Sequence, residues 1–109
     1  MDWDHFDRLY PNRPGFVDKL TNIFMLGHAA DAERLRTVAA AADYAGIAAL
    51  AHELKSLGGN LCSPAVEKLA LRTQRSAREN RPAACLHATE LAAKVDMLIA
   101  ALRKGRPAP

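Results

Sequence analysis

His52 and Lys55 stand three residues apart in the stretch Ala51-His52-Glu53-Leu54-Lys55-Ser56-Leu57-Gly58-Gly59-Asn60-Leu61, and Gly59 follows the histidine by seven. On a helix these spacings put all three on one face, with Ser56 beside them at i+4. An imidazole on such a face is a nucleophile that can carry a covalent intermediate. An ammonium one turn away can neutralise phosphoryl oxygens as a mobile point charge. A glycine inside a helix costs about 1 kcal/mol relative to alanine. Gly59 therefore suggests a surface that another backbone must approach closely.

The element that must position these groups is legible around them. At about 100° per residue, Ile47, Leu50, Ala51, Leu54, Leu57, Gly58 and Leu61 gather on one side, the stripe a core-facing helix needs. His52 falls about 150° from the centre of that stripe and so points to solvent. Asp43 suits the N-cap of this central helix.

His52-Glu53-Leu54-Lys55 followed by Gly59-Asn60-Leu61 resembles the signature of histidine-containing phosphotransfer domains. The resemblance extends over roughly residues 14 to 104. It takes in the Ala-rich helix that ends at Asp43 and the Leu69-containing helix opened by Ser63-Pro64. It implies that His52 accepts a phosphoryl group through Nε2 from a receiver-domain aspartyl phosphate and passes it to the Asp of another receiver. Lys55 would steady the phosphoryl oxygens, and Gly59 and Ala48 would leave room for the partner. The implied partners are a response-regulator receiver domain and a hybrid sensor histidine kinase, with Mg²⁺ on the receiver and no cofactor on this chain. Three positions depart from the family pattern. Ser56 stands where the family commonly has Gly, and its hydroxyl could donate to the phosphoryl group or crowd the partner. Leu57 replaces a frequently small residue, and Cys62 a frequent Gly.

Composition agrees with a small helical carrier. The chain has 109 residues, enough for one domain with a real core, and half are hydrophobic while only six are aromatic. Two cysteines, Cys62 and Cys85, suit no metal-ligand spacing and give no reason to expect an oxidising compartment. No run approaches a membrane span. The early acids Asp2, Asp4 and Asp7 are wrong for a signal peptide, so a cytoplasmic monomer is expected. No nucleotide-binding loop is present, so the chain should not phosphorylate itself and is not an enzyme in its own right. A net charge of +3 suits an acidic protein partner more than nucleic acid.

In chain order, Trp3, Phe6, Leu9 and Tyr10 have the spacing of a short amphipathic helix. Pro11-Asn12-Arg13-Pro14 reads as a turn. Val17, Leu20, Phe24 and Gly27 continue as a stripe, with Phe16 and Ile23 beside it, and Gly27-His28 as a break. A helix from about Asp31 carries Leu35, Val38, Ala39 and Ala42. After the central helix, Ser63-Pro64 is a cap followed by a first-turn proline. Val66, Leu69, Ala70, Thr73 and Ala77 form the next stripe. Asn80-Arg81-Pro82 is a turn. Ala84, Ala88, Leu91, Val95, Leu98 and Leu102 make the last seam, closed by Lys104-Gly105-Arg106-Pro107. The expectation is an all-α single domain over 1–109: an antiparallel up-down four-helix bundle, about 29–104, with one or two additional N-terminal helices in 1–28.

The other candidates carry plainer readings. His5, His28 and His87 are structural or simply exposed, and none pairs at i+4 for a metal, so no metal site is expected. Arg72, Arg75 and Arg78 form a row that is either a solvated face or, for Arg72 and Arg75, part of the partner surface. Two other functions fit the same chain. One is a phosphorylation-independent helical module that binds a receiver or kinase domain. The weaker one is a nucleic-acid-binding bundle using Arg72, Arg75, Arg78 and Arg81, disfavoured by the lack of interleaved aromatics.

Overall fold

A computed structural model of the chain describes residues 3–10, 14–61 and 63–105. The turn expected at 11–13, Cys62, and the Arg106-Pro107 stop lie outside the described residues. All regular structure among the described residues is helical. In order, α1 is Trp3–Leu9, α2 Pro14–His28, α3 Asp31–Ala40, α4 Tyr44–Asn60, α5 Pro64–Arg78 and α6 Ala83–Lys104. Helix α4 packs on α5, α5 on α6, α6 on α3 and α3 on α4, so these four close a ring around one core. Helix α2 lies against α6, and α1 against α2.

The core is built from the stripes the sequence predicts. Ile47, Leu50, Ala51, Leu54, Leu57, Gly58 and Leu61 of the central segment are all buried. So are Ala84, Ala88, Leu91, Val95, Leu98 and Leu102 of α6. Truncating one of the fully enclosed leucines, such as Leu54 or Leu91, to alanine would cost about 2–5 kcal/mol. On α5, Val66, Ala70, Thr73 and Ala77 are buried and Leu69 half-buried.

Local chemistry sets the helix ends. Asp43 is the N-cap of α4 as expected, its Oδ1 accepting from the Gly46 N–H at 3.0 Å. Pro64 opens α5, but the Ser63 hydroxyl makes no capping bond. The Ser63 N–H instead donates to the Gly58 carbonyl at 2.8 Å, folding the connection back on α4. Two non-glycine residues take left-handed backbone after helices. Ala42 (φ 51°) follows α3, and Asn80 (φ 53°) follows α5. At both, the next N–H reaches back to a carbonyl of the last turn: Asp43 to Val38 and Arg81 to Ser76. Between α3 and α6, Arg36 donates to Asp96 at 2.6 Å and to Glu33 at 2.9 Å. The hydrogen bond to Asp96, then that to Glu33, raises the Arg36 guanidinium above its ordinary range.

The N-terminal part and two boundary positions depart from the expectation. Val17 is buried, with Leu20 and Phe24 half-buried, but Gly27 is exposed and does not join that stripe. Ala42 is exposed because it forms the turn instead of continuing α3. On α1, Phe6 is fully buried while Leu9 faces solvent. Phe6 and Tyr10 have ring centroids 6.1 Å apart, and Tyr10 and Phe16 5.2 Å apart, so these aromatics join α1 to α2.

Candidate functional site

Helix α4 presents His52 at the surface, as the position of the apolar stripe requires. The ring is not loose. The side-chain amide of Gln74 on α5 lies 3.1 Å from Nδ1 of His52. Gln74 is 5% exposed and Thr73 beside it is fully buried, so the amide is held by the packed seam between the two helices. The Nε2 atom of His52 has no hydrogen-bond partner among the described residues, and the residue is exposed.

The amide can serve Nδ1 in two ways. With its nitrogen towards the ring it donates to a lone pair on Nδ1, and the ring proton sits on Nε2. A half-turn of the amide brings Oε1 to the same place. It then accepts from Nδ1–H, and the lone pair moves to Nε2. The second arrangement makes the solvent-facing nitrogen the nucleophile.

The other residues singled out from sequence divide by position. Ala48 and Lys55 are half-buried and Gly59 is exposed. With His52 they line the flank of α4 that meets α5. Lys55 makes no hydrogen bond or ion pair among the described residues. Its ammonium is therefore free to meet an incoming anion. Ser56 is exposed and lies further round the helix, away from α5.

The two glycines of the motif have different jobs. Gly58 is the point of close approach within the chain. A Cβ there would lie 2.6 Å from the Glu67 amide nitrogen and 3.0 Å from its Cα. Gly59 has only the Glu67 carboxylate nearby, 3.5 Å from where a Cβ would be. The absence of a side chain at Gly59 leaves an open patch two turns from the imidazole, bordered by a carboxylate.

Helix α5 carries the arginine row. Gln74 marks the flank of α5 that faces α4, and Ser76, bonded to His87 at 2.9 Å, marks the flank that faces α6. Arg72 lies within about 40° of Ser76 and so on the α6 side, away from His52. Arg75 is about 100° from Gln74 and points outward, whereas Arg78 is within about 40° of it. Arg78 is the member of the row on the imidazole's side. Arg81 is tied to Glu79.

The remaining histidines lie elsewhere in the fold. His28 holds Asp31 at 2.6 Å through Nδ1, and Arg34 reaches the other carboxylate oxygen at 3.5 Å. Asp31 is 2% exposed, so this triad gives both oxygens of a buried carboxyl a partner at the α2–α3 corner. His5 is exposed on α1. A separate cleft of about 460 Å³ lies between α3 and α4, lined by Val38, Gly46, Ala49 and Leu50 with Glu33, Arg34 and Glu53 at its edge. Its lining has no histidine or cysteine, and Glu53 faces it from the side of α4 opposite Gln74. No group of three His, Cys, Asp or Glu among the described residues is placed to hold a metal ion.

Gln74 is the site residue that the sequence reading misses. Its signal was a polar side chain at i+4 from Ala70 and i−3 from Ala77, both in the buried stripe. Connecting it to His52 requires the pairing of α4 with α5, which only the fold supplies. Comparison of the chain with protein-family models, with curated proteins and with solved structures gives no match.

Proposed function

We propose that this chain is a phosphohistidine carrier of the histidine-containing phosphotransfer type, working in a phosphorelay. The observation that carries the reading is His52: an exposed imidazole with Nδ1 fixed by a buried glutamine of the next helix and an unpaired lysine one turn away. The fold that goes with it is an antiparallel up-down four-helix bundle formed by α3 to α6, with α1 and α2 as the additional N-terminal helices. The contacts of Gly58 with Glu67 and of His52 with Gln74 run in opposite chain directions and favour that arrangement.

The reaction asks little of this chain beyond position and charge. The Nε2 lone pair attacks the phosphorus of a receiver's aspartyl phosphate. An N–P bond forms as the P–O bond to the aspartate breaks, and the leaving carboxylate keeps the electron pair. Nδ1–H stays on the ring and bonds to Gln74 Oε1, which stabilises the positive charge that develops on the imidazole. Lys55 faces the phosphoryl oxygens. The reverse step, at a second receiver, restores the neutral ring. The Mg²⁺ and carboxylates used in both steps belong to the receivers. The attacking form of the ring is the neutral imidazole. Among the described residues no helix is long and apolar enough to cross a membrane.

The test is transfer from a ³²P-labelled receiver domain to the protein and to His52→Gln. Acid-labile, alkali-stable label on the wild type and none on the variant is expected. Receivers that bind both forms equally and transfer to neither would instead make the chain a phosphorylation-independent interaction module. Label that persists in His52→Gln would move the acceptor elsewhere, with His87 next in line because its Nδ1 partner, Ser76, is uncharged.

A further inference from the structure

Helix α5 carries Lys68, Arg72, Arg75 and Arg78 against the single carboxylate of Glu67. Its net charge of +3 equals that of the entire chain. All four cations are exposed, and none forms an ion pair among the described residues. They occupy about 120° of the outer side of the helix along about 15 Å of its axis. Leu71, 39% exposed, stands within that arc. The helix dipole favours Arg75 and Arg78 in the last turn, but Lys68 and Arg72 lie beyond its reach. Three other arginines are tied down: Arg34 to Asp31, Arg36 to Glu33 and Asp96, and Arg81 to Glu79.

We propose that the outer face of α5 is a docking surface for an acidic amphipathic helix of a partner protein. Carboxylates at i, i+3 and i+4 of such a helix repeat at the same rise as the cation row, and an apolar side chain between them would cover Leu71. Several carboxylates of this chain are themselves engaged. Asp31 is buried, Glu33 and Asp96 are held by Arg36, and Glu79 by Arg81. A phosphate backbone is a poorer match. Helix α5 has no aromatic residue for bases to stack on, and an exposed leucine among the cations gains nothing from phosphates. At Arg72 and Arg75 the surface turns away from the imidazole, while Arg78 borders the His52 flank.

The test uses the full ¹⁵N-labelled chain and three probes: a stapled helical peptide with glutamates flanking a central leucine, its glutamine counterpart, and a mixed-sequence DNA duplex. Chemical-shift changes from the acidic peptide are expected to cluster on residues 68–78. Binding should weaken about tenfold or more with the glutamine peptide and with Arg72→Glu/Arg75→Glu, and should fall as salt rises. Circular dichroism of the variant, and the milder Arg72→Gln/Arg75→Gln pair, separate loss of docking from loss of fold. Equal binding of the two peptides, shifts centred elsewhere, or no binding of the acidic peptide overturns the proposal. Tighter binding of the duplex than of the acidic peptide through the same arginines overturns it in favour of nucleic acid.

Discussion

The imidazole of His52 and the carboxamide of Gln74 meet at 3.1 Å across the α4–α5 seam, one exposed and the other almost wholly buried. A buried amide that touches a surface ring is an orienting device. Its own position is fixed by packing, so the ring's rotation and tautomer follow. Gln74→Ala should fold and still accept phosphate on His52, but about 10- to 100-fold more slowly. Gln74→Glu should keep the ring oriented while favouring its protonated form. The acid limb of the pH–rate profile would then move to higher pH. Single-turnover transfer across a pH series checks both. Wild-type rates with an unmoved profile in both variants would exclude an orienting role.

Lys55 supplies charge without a competing partner among the described residues, so its loss should act on the transfer step and not on folding. Lys55→Ala is expected to slow phosphoryl acceptance by about 10- to 100-fold, the range for removing one electrostatic contact to a transferring group. Lys55→Arg should recover part of the rate. Thermal melts of both variants should match the wild type within about 0.5 kcal/mol, as for other surface substitutions. A large loss of stability in Lys55→Ala would mean that the half-buried stem, not the ammonium, is what matters.

Adjacent glycines give a sharper contrast. At Gly58 an added methyl would sit 2.6 Å from backbone at Glu67, which cannot swing aside. Gly58→Ala should therefore push α4 and α5 apart and cost about 1–3 kcal/mol or more. At Gly59 the nearest atom is the end of a flexible carboxylate at 3.5 Å. Gly59→Ala should raise stability by up to about 1 kcal/mol through helix propensity. It should also weaken receiver binding if a partner uses the open patch. Urea titration of the two variants side by side settles the stability contrast.

Ala42 holds a left-handed backbone at φ 51°, where a Cβ is unfavourable by about 1–2 kcal/mol. Because the residue is exposed, nothing is lost by removing its methyl. Ala42→Gly should raise the midpoint of thermal unfolding by several degrees, the shift expected for about 1 kcal/mol in a domain of this size. A lowered midpoint would show that unfolded-chain entropy outweighs the relief of strain here.

Much of this protein was legible in its sequence because helix periodicity is a local property. The stripe from Ile47 to Leu61 fixed which side of α4 is buried, and with it the outward direction of His52 and the neighbourhood of Lys55. The seam from Ala84 to Leu102, the Asp43 cap and the Pro64 start were equally local, and each stands in the fold. What the sequence could not supply is which residue of one helix meets which residue of another, since that depends on the register of α4 against α5. Register decided that Gln74 reaches His52, that Gly58 and not Gly59 is the point of close approach, and that Arg78 and not Arg72 shares the imidazole's flank. It also left α5 with four cations that form no ion pair among the described residues. Side-chain periodicity is written along one helix, whereas contacts between helices are set by how the whole core packs, and only the tertiary structure holds that information.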